Sequence, residues 1–444
     1  MDGFDVVLIG VRALLAFLLW LISTALLIWG ERRIVAKMQT RIGPNRLGPF
    51  GVFQVLADGA KMFFKEDITP RSVDKVVYFA APVVSATVAF LTFAVIPFGG
   101  TMELELGGEL RQIPLQVWDP EIGLLWFLAM SSIGVYGVAL GGWASGSKYP
   151  LLGGVRSSAQ LISYELAMGL SMGAVFIWAG TLRASEIVAN QTGTFFGFIP
   201  AWHVFPMIPA FFIFYIAVVA EAQRPPFDLA EAEGELVAGF HTEYSGAKFA
   251  MFMLAEFMAV ITMSAMTVTL FFGGPNGPLF GLSPTSIRAA LLGVVYFLAK
   301  CFIFVFVFIW LRGTLPRLPY NRLMDLGWKV MLPLGLVWVL LTGAVVTLQQ
   351  QGYTPTFLTV LAIVVVTYIA LSSLAPLFRR DPAQAPGSDG GGDGSRPSGD
   401  GDDGDSGLAI APDSETITVP AGNAPPGREP EKVGATRADA DPDS

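Results

Sequence analysis

Long apolar runs alternate with shorter polar segments along most of this chain. Several runs reach the roughly 20 residues that a helix needs to cross the hydrocarbon core of a bilayer. Hydrophobic residues make up 53% of the chain and charged residues only 14%, whereas soluble domains have about 25% charged residues. The pattern predicts an all-α polytopic membrane protein with about nine transmembrane helices. Their expected positions are near residues 6–30, 76–98, 122–143, 159–180, 204–222, 247–272, 287–311, 330–348 and 357–378.

Charge divides the chain into parts of different character. Residues 381–444 contain 14 Asp and Glu residues against 4 Lys and Arg residues, a net charge of −10. Their Gly, Asp, Ser and Pro content predicts a disordered acidic tail, because too little apolar surface is present to offset the entropy cost of ordering. We expect a membrane domain of eight spans over 1–349, a ninth span over 350–380 and the tail over 381–444.

Basic residues predict the orientation, since loops rich in Lys and Arg stay in the cytoplasm. The loops after spans one, three, five and seven, with the residues after span nine, hold 19 of them, and the opposite loops hold 4. The N-terminus is therefore expected outside and the tail in the cytoplasm.

The loop after the first span carries an amphipathic pattern. Five apolar side chains are expected on one helical face and four polar ones on another, which predicts a helix lying at the membrane interface. An alternative interpretation of Lys61 and Lys65 is an anchor that contacts lipid phosphates. The apolar set is Phe50, Phe53, Ala57, Ala60 and Phe64, and the polar set is Gln54, Asp58, Lys61 and Lys65.

Glu165, Glu256 and Lys300 are charged residues that fall inside predicted spans. On insertion scales such a charge costs about 2.5–3.5 kcal/mol, so it is expected to face the protein interior or water. An interior ion pair of structural value would explain them. Three such charges in one chain favour a polar path through the membrane.

The segment 221–246 is unusually acidic for a connection between two apolar runs. Glu231 and Glu235 are four residues apart, so on a helix they would share a face and titrate together. The alternative for Asp228 and Glu231 is a capping box at the start of a helix. The six acidic residues are Glu221, Asp228, Glu231, Glu233, Glu235 and Glu243.

Composition excludes several kinds of site. The single cysteine, Cys301, excludes an internal disulfide, a cysteine-rich zinc site and an iron–sulfur cluster held by this chain alone. No metal site is expected. The only two histidines, His203 and His241, are predicted at opposite ends of one span, which argues against a bis-histidine haem. Neither a GxGxxG nor a P-loop motif is present for binding nucleotide phosphates.

Six ordered motifs resemble those of a known family. They are ERRIVAKMQTRIGPNRLGPFG, ADGAKMFFKED, GGWASGSKY, AQLISYE, AEAQRPPFDLAEAEGELVAGFHTEYSG and PRLPYNRLMDLGWKVMLP. Over about residues 6–348 the chain resembles the membrane H subunit of bacterial respiratory NADH:quinone oxidoreductase, complex I.

The resemblance implies a plasma-membrane subunit of a proton-translocating enzyme, with no redox centre of its own. Its quinone substrate, menaquinone or ubiquinone, would be reduced in a chamber formed with the peripheral arm. FMN and the iron–sulfur clusters would belong to partner subunits, and a row of carboxylates would lead toward the small and antiporter-like membrane subunits.

Carried over by position, the resemblance assigns two groups of residues. The chamber or peripheral-arm group is Arg33, Arg41, Arg46, Asp58, Lys61, Lys65, Arg224, Phe227 and Asp228. The proton-path group is Glu165, Glu221, Glu231, Glu233, Glu235, Glu243, Glu256 and Lys300.

Two features depart from the family pattern. The string PRLPYNRLMD replaces the usual arginine-rich PRxRYDQLM, which leaves the role of residues 320–325 open. The ninth span and acidic tail are similar to actinobacterial members, for which menaquinone would be expected.

Three other functions remain open at the level of sequence. The chain could be the corresponding subunit of a related membrane-bound hydrogenase or F420H2 dehydrogenase. It could be a self-contained proton-coupled transporter, although no convincing internal repeat is visible. It could also be a structural anchor for the peripheral arm.

Overall fold

A computed structural model describes residues 3–106, 109–195, 199–228, 237–279, 281, 283 and 285–352, with the single positions 365, 366, 369 and 372. All of these lie in the unit Met1–Arg380. Apart from those four positions, the predicted ninth span lies outside the described residues. The predicted acidic tail does so entirely.

The described part is mostly helical, with four short strands, which confirms the predicted fold class. Within the described residues, seven helices are long and apolar enough to cross a membrane; the last of them, Tyr320–Gln350, contains a π-helical turn at Leu326–Met331. The helices are α1 Gly3–Met38, α2 Gln54–Phe64, α3 Lys75–Phe93, α4 Gly123–Ala144, α5 Lys148–Ala179, α6 Ala184–Ala189, α7 Ile208–Glu221, α8 Gly246–Phe271, α9 Ile287–Thr314, α10 Tyr320–Asp325 and α11 Leu332–Gln350.

Helix α7, which corresponds to the predicted fifth span, is shorter than the seven long apolar helices. Helix α7 has 14 residues, which corresponds to about 20 Å at 1.5 Å per residue. That length is less than the roughly 30 Å of a hydrocarbon core. The chain therefore leaves the helix at Glu221 while it is still within the protein.

Two small hairpins follow helices on the side predicted to be outside. Strands β1 Thr101–Leu106 and β2 Glu109–Pro114 pair antiparallel, with Thr101 opposite Pro114. Strands β3 Thr194–Phe195 and β4 Ile199–Pro200 also pair antiparallel.

Several helices extend beyond the apolar runs that predict them. Helix α1 continues to Met38 and α5 begins at Lys148, because polar residues such as Glu, Arg and Lys form helix readily in water. Glu165 consequently lies in the middle of α5. Local caps fix other ends: Asp74 accepts hydrogen bonds from the first turn of α3.

The interfacial helix differs from its prediction at its start. Helix α2 begins at Gln54, so Phe50 does not belong to its apolar face. Phe50 instead has a left-handed backbone (φ 56°) in the 3₁₀ turn Pro49–Gly51. The sequence pattern therefore predicts the start of this helix one turn too early, in a segment whose Gly and Pro residues form turns.

Helices α5, α7 and α8 contribute more residues to the central core than the other helices do. Tyr164 and Met168 of α5 are fully buried, and Trp20 of α1 donates a hydrogen bond to Thr262 of α8 at 3.3 Å. On its other side α1 exposes Leu14 and Ile22, as expected for a lipid-facing helix.

A glycine allows α4 and α5 to approach closely. A Cβ atom at Gly142 would lie 2.6 Å from the Pro150 carbonyl oxygen and 3.0 Å from the Cα of Gly154. Since the clashing atoms are backbone, Gly142→Ala is expected to destabilise the protein by about 1–3 kcal/mol. Thermal inactivation of the purified assembly measures this loss. Gly173→Ala in α5 is the control, because no atom lies within 4 Å of its added Cβ; equal half-lives of the two variants would contradict the expectation.

Candidate functional site

The chain that follows α7 is non-helical and buried. Within residues 222–228 the side chains of Gln223, Arg224, Phe227 and Asp228 are at most 8% exposed. Gln160 of α5 donates hydrogen bonds of 2.8 Å to the Ala220 carbonyl in the last turn of α7 and to the Phe227 carbonyl of this segment. Irregular backbone at membrane depth requires such partners, so this segment places charged side chains inside the protein.

Arg224 is the buried centre of a network of four charges, of which Arg312 is partly exposed. Its Nη2 lies 3.3 Å from Oε1 of Glu256 in α8, and its Nη1 lies 3.6 Å from Oε1 of Glu31 in α1. Glu31 also accepts a hydrogen bond from Arg312 of α9. Two carboxylates and two guanidiniums from four parts of the chain thus neutralise one another.

Two further carboxylates are held by serine hydroxyls instead of cations. Ser131 of α4 donates to Glu221 Oε1 at 2.8 Å, and its neighbour Ser132 donates to Glu165. Within the described part of the chain no Lys or Arg forms an ion pair with Glu165 or Glu221. These carboxylates can therefore exchange a proton without breaking an ion pair.

Glu221 and Glu256 both line one cavity, which has a volume of about 110 Å³ and is otherwise lined mainly by side chains of α3, α4 and α8. The hydrogen bonds, the ion pairs and this shared cavity arrange the polar groups in a row. In order, its members are Glu165, Ser132, Ser131, Glu221, the cavity, Glu256, Arg224, Glu31 and Arg312.

Phe227 and Asp228 fix the far end of the buried segment. The Phe227 ring lies 5.5 Å from the Tyr164 ring, and Asp228 accepts a hydrogen bond of 2.9 Å from Arg317. The sequence-based alternative for Asp228, helix capping, depends on residues 229–236, which lie outside the described residues. The same applies to Glu231, Glu233 and Glu235.

The first loop, between α1 and α3, is predicted to be cytoplasmic and presents most of its basic residues at the surface. Arg33 donates to the Phe50 carbonyl at 2.7 Å, and its guanidinium stacks on Trp29 and Phe50. The other four predicted basic residues are exposed: Arg41, Arg46, Lys61 and Lys65.

Asp58 joins α2 to α1 through a hydrogen bond from Arg32. Partial burial acts to raise the pKa of Asp58. Hydrogen bonds from Arg32 and Gln54 and the charges of Arg32 and Lys61 outweigh that effect, so the pKa is held below its ordinary value of 3.8. Asp58 is therefore ionised at neutral pH, where it accepts the hydrogen bond from Arg32.

This lowered pKa predicts how the link responds to acid. Stabilisation by Asp58 is present above its ordinary pKa and is lost as pH falls through the lower folded-state pKa. We expect amide protection in α2 to stay constant from pH 7 to about pH 5 and to fall below about pH 4. Hydrogen exchange, corrected for intrinsic rates, measures this. Asp58→Asn should remove the step; an unchanged step in that variant would assign it to another group.

A second set of contacts joins the end of the first loop to the start of α8. Lys248 Nζ lies 2.9 Å from both Asp67 Oδ1 and Thr69 Oγ1. Nearby, the Glu243 backbone carbonyl accepts a 2.7 Å hydrogen bond from Tyr78. The two segments predicted to be functional therefore meet directly.

A comparison with protein families bears on this geometry. A family model described as NADH dehydrogenase matches residues 11–343. The chain belongs to this family. The match contains the whole polar row from Glu31 to Arg312, and it confirms the resemblance to the membrane H subunit of complex I.

Sequence reasoning missed several members of the row in this NADH dehydrogenase family protein. Glu31 and Arg312 each stand just after a predicted span, at the place where charged residues are ordinary. Their pairing joins residues 281 positions apart, which no local pattern encodes. The one available signal for Glu31 is a carboxylate directly at the end of an apolar run.

Lys300 stands apart from the carboxylates in its contacts. Its ammonium donates to the carbonyls of Phe272, Gly274 and Asn276 at 2.7–2.9 Å, and it faces the Trp202 ring. Three donors are all that an ammonium has. Lys300 of α9 therefore binds the backbone just after the C-terminal end of α8, where a cation also complements the helix dipole.

Proposed function

We propose that this complex I membrane subunit forms part of the quinone-binding chamber and couples quinone reduction to proton translocation through its buried carboxylates. The observation that carries the proposal is the row of polar groups from Glu165 to Arg312. A structural anchor would not need such a row, because buried charges add little net stability compared with apolar packing.

The two pairs of carboxylates in the row differ in what neutralises or binds them, so we assign them different roles. Glu165 and Glu221 are held by neutral hydroxyls, so they are the proton-exchanging members. Glu31 and Glu256 are neutralised by arginines, so they respond to a change of charge by rearranging ion pairs. Reduction of a quinone adds negative charge and requires protons, and both pairs are sensitive to these changes.

In this proposal, the first loop and residues 222–228 form this subunit's part of the quinone-binding chamber. A quinone headgroup is a flat apolar ring with two carbonyl acceptors, which suits aromatic side chains with a few placed donors. The surface around α2 exposes Phe53, Phe63 and Phe64 beside Lys61 and Lys65. Electrons would come from an iron–sulfur cluster of a partner subunit, supplied by NADH through FMN.

Glu221→Gln in the assembled complex tests the proposal. The variant keeps the hydrogen bond from Ser131 but removes the titrating group. We expect coupled quinone reduction and proton pumping to fall by at least roughly tenfold, as for loss of a proton-transfer group. Both rates are measured in vesicles with NADH as the electron donor.

A matched control separates this effect from a general loss of charge. Glu186→Gln changes the same group at a half-exposed site, where Glu186 pairs with Arg183 at 3.4 Å. It should leave both rates at the wild-type value. Wild-type rates in fully assembled Glu221→Gln would refute the proposal.

A further inference from the structure

A large cavity, here called the outer cavity, lies on the side of the protein that is predicted to be outside. It has a volume of about 930 Å³, near the upper end of the roughly 300–1,000 Å³ range of sites for small organic ligands. Its walls are the β1–β2 hairpin, helix α6 with the turn after it, the loop after α8 and the outer part of α9. No member of the row from Glu165 to Arg312 lines it, so the proposed quinone and proton chemistry gives this cavity no role.

Hydrogen bonds between these walls hold the outer cavity in shape. The Glu103 backbone amide of β1 donates to the Thr285 carbonyl, just before α9, at 2.9 Å. The Asn276 side-chain amide, in the loop after α8, donates to the Val188 carbonyl of α6 at 2.8 Å. A ligand that enters such a preorganised site orders little protein on binding, which favours affinity.

A buried carboxamide fixes the floor of the outer cavity to α8. Gln191, which is 2% exposed, donates from Nε2 to the Thr269 carbonyl at 2.9 Å. Its Oε1 accepts from the backbone amides of His203 and Gly273 at 3.2 and 2.8 Å. The loop after α8 is thereby held in place at the cavity floor.

The described residues that line the outer cavity carry no charged side chain. Their polar groups are amides and hydroxyls, including those of Gln112, Thr194, Asn276 and Thr285. Amides and hydroxyls both donate and accept hydrogen bonds, as the hydroxyl groups of a ligand do. A phosphate or carboxylate ligand would instead be expected to meet Lys or Arg. The lining therefore favours an uncharged ligand that carries hydroxyl groups.

Two aromatic rings add apolar surface beside these polar groups. Trp202 is half-buried, and Tyr296 donates from its hydroxyl to the Pro278 carbonyl at 2.9 Å. The Lys300 ammonium lies 5.3 Å from the centre of the Trp202 ring but does not line the cavity, and backbone carbonyls accept its three protons. A sugar matches this combination, because its C–H faces pack on aromatic rings while its hydroxyls bond to amides and hydroxyls.

The outer cavity lies beside an exposed apolar face of α9. Four apolar side chains spaced three or four residues apart share that face. They are Leu291, Val295, Leu298 and Phe302. Tyr296, the next residue after Val295, lies in the cavity wall. A molecule that fills the cavity and also covers this face needs a polar headgroup and acyl chains, which is the composition of a membrane lipid.

We propose that the outer cavity binds a membrane lipid with an uncharged sugar headgroup, and that the acyl chains of this lipid lie along the exposed face of α9. The neutral amides and hydroxyls bind the headgroup, and Trp202 and Tyr296 pack against the sugar ring. This site is separate from the carboxylate row, so the inference does not depend on the proposed function.

Photolabelling of the intact complex tests the site. The complex is reconstituted in phosphatidylcholine vesicles that contain a diacylglycerol glucoside with a photoactivatable group on its sugar. The comparison probe is a phosphatidylglycerol with the same acyl chains and a photoactivatable headgroup. We expect the glucoside to label peptides from residues 97–116 and 273–296 at least about tenfold more than the charged probe, since a phosphate would lose water without gaining a cation.

Two variants change the outer cavity in different ways. Trp202→Leu removes a ring that packs on the sugar, so labelling by the glucoside is expected to fall about fivefold. Ala189→Trp places a large ring at an exposed position of the cavity wall and should prevent labelling by filling the space. Trp118→Leu is the matched control, because Trp118 is an exposed ring on the same predicted side that does not line the cavity. It should leave labelling at the wild-type level.

Three results would overturn the inference. Equal labelling by the two probes would mean that the lining does not select an uncharged headgroup. Unchanged labelling in either assembled cavity variant would place the lipid elsewhere, and if Trp202→Leu does not assemble, Ala189→Trp decides. No labelling of the wild type would mean that another part of the complex fills the cavity. None of these results depends on the rates of Glu221→Gln.

Discussion

Arg224→Met is expected to destabilise the protein by about 3–5 kcal/mol, the usual cost of removing one partner from a buried ion pair. Arg224 is 7% exposed and contacts both Glu256 and Glu31. Methionine has a similar length but no charge, so both carboxylates lose a guanidinium in a medium that solvates them poorly. The measurable result is a low level of assembled complex in the membrane and rapid thermal inactivation of what remains.

Two further variants show whether the ion pairs cause the loss. In the Arg224→Met background, Glu256→Gln should recover part of the stability, because it removes one of the two carboxylates that lost the guanidinium; Glu31 retains Arg312. Arg183→Met is the surface control. Arg183 also faces three carboxylates, but its side chain is 33% exposed, so the cost should stay within about 1 kcal/mol. Equal losses at both positions would contradict the assignment of a buried network.

Hydropathy predicted the positions of the helices because each apolar run must independently satisfy its backbone inside a bilayer. It did not predict where helices end. Helix α1 runs on to Met38 through a charged segment, since a helix needs apolar residues only where it meets lipid. Helix α7 begins at Ile208, four residues after the predicted start of its span at residue 204, and ends at Glu221, one residue before the predicted end.

The sequence predicts the carboxylates of the candidate site but does not predict the side chains that bind them. Glu165 and Glu256 stand out because an intramembrane carboxylate is costly. Ser131 and Ser132 do not, because serine is common in membrane helices and usually bonds to its own backbone.

Lys300 shows why an intramembrane charge alone does not define a function. The sequence placed it with the proton-path residues, and that assignment stays a prediction. Its three hydrogen bonds to the carbonyls of Phe272, Gly274 and Asn276 favour a structural role at the end of α8. A proton carrier must release its proton, whereas this ammonium would leave three acceptors unsatisfied by doing so.

Lys300→Met separates the two roles. We expect a loss of about 2–4 kcal/mol, because several hydrogen bonds from a charged donor disappear together, and fewer assembled complexes as a result. Complexes that do assemble should pump the wild-type number of protons per NADH oxidised, since the row from Glu165 to Arg312 is intact. Lys329→Met is the control: Lys329 pairs with Asp325 at 2.7 Å on the surface, with 72% of its side chain exposed. A normal level of assembly combined with a reduced proton ratio would place Lys300 in the proton path, because only a transport role separates pumping from stability.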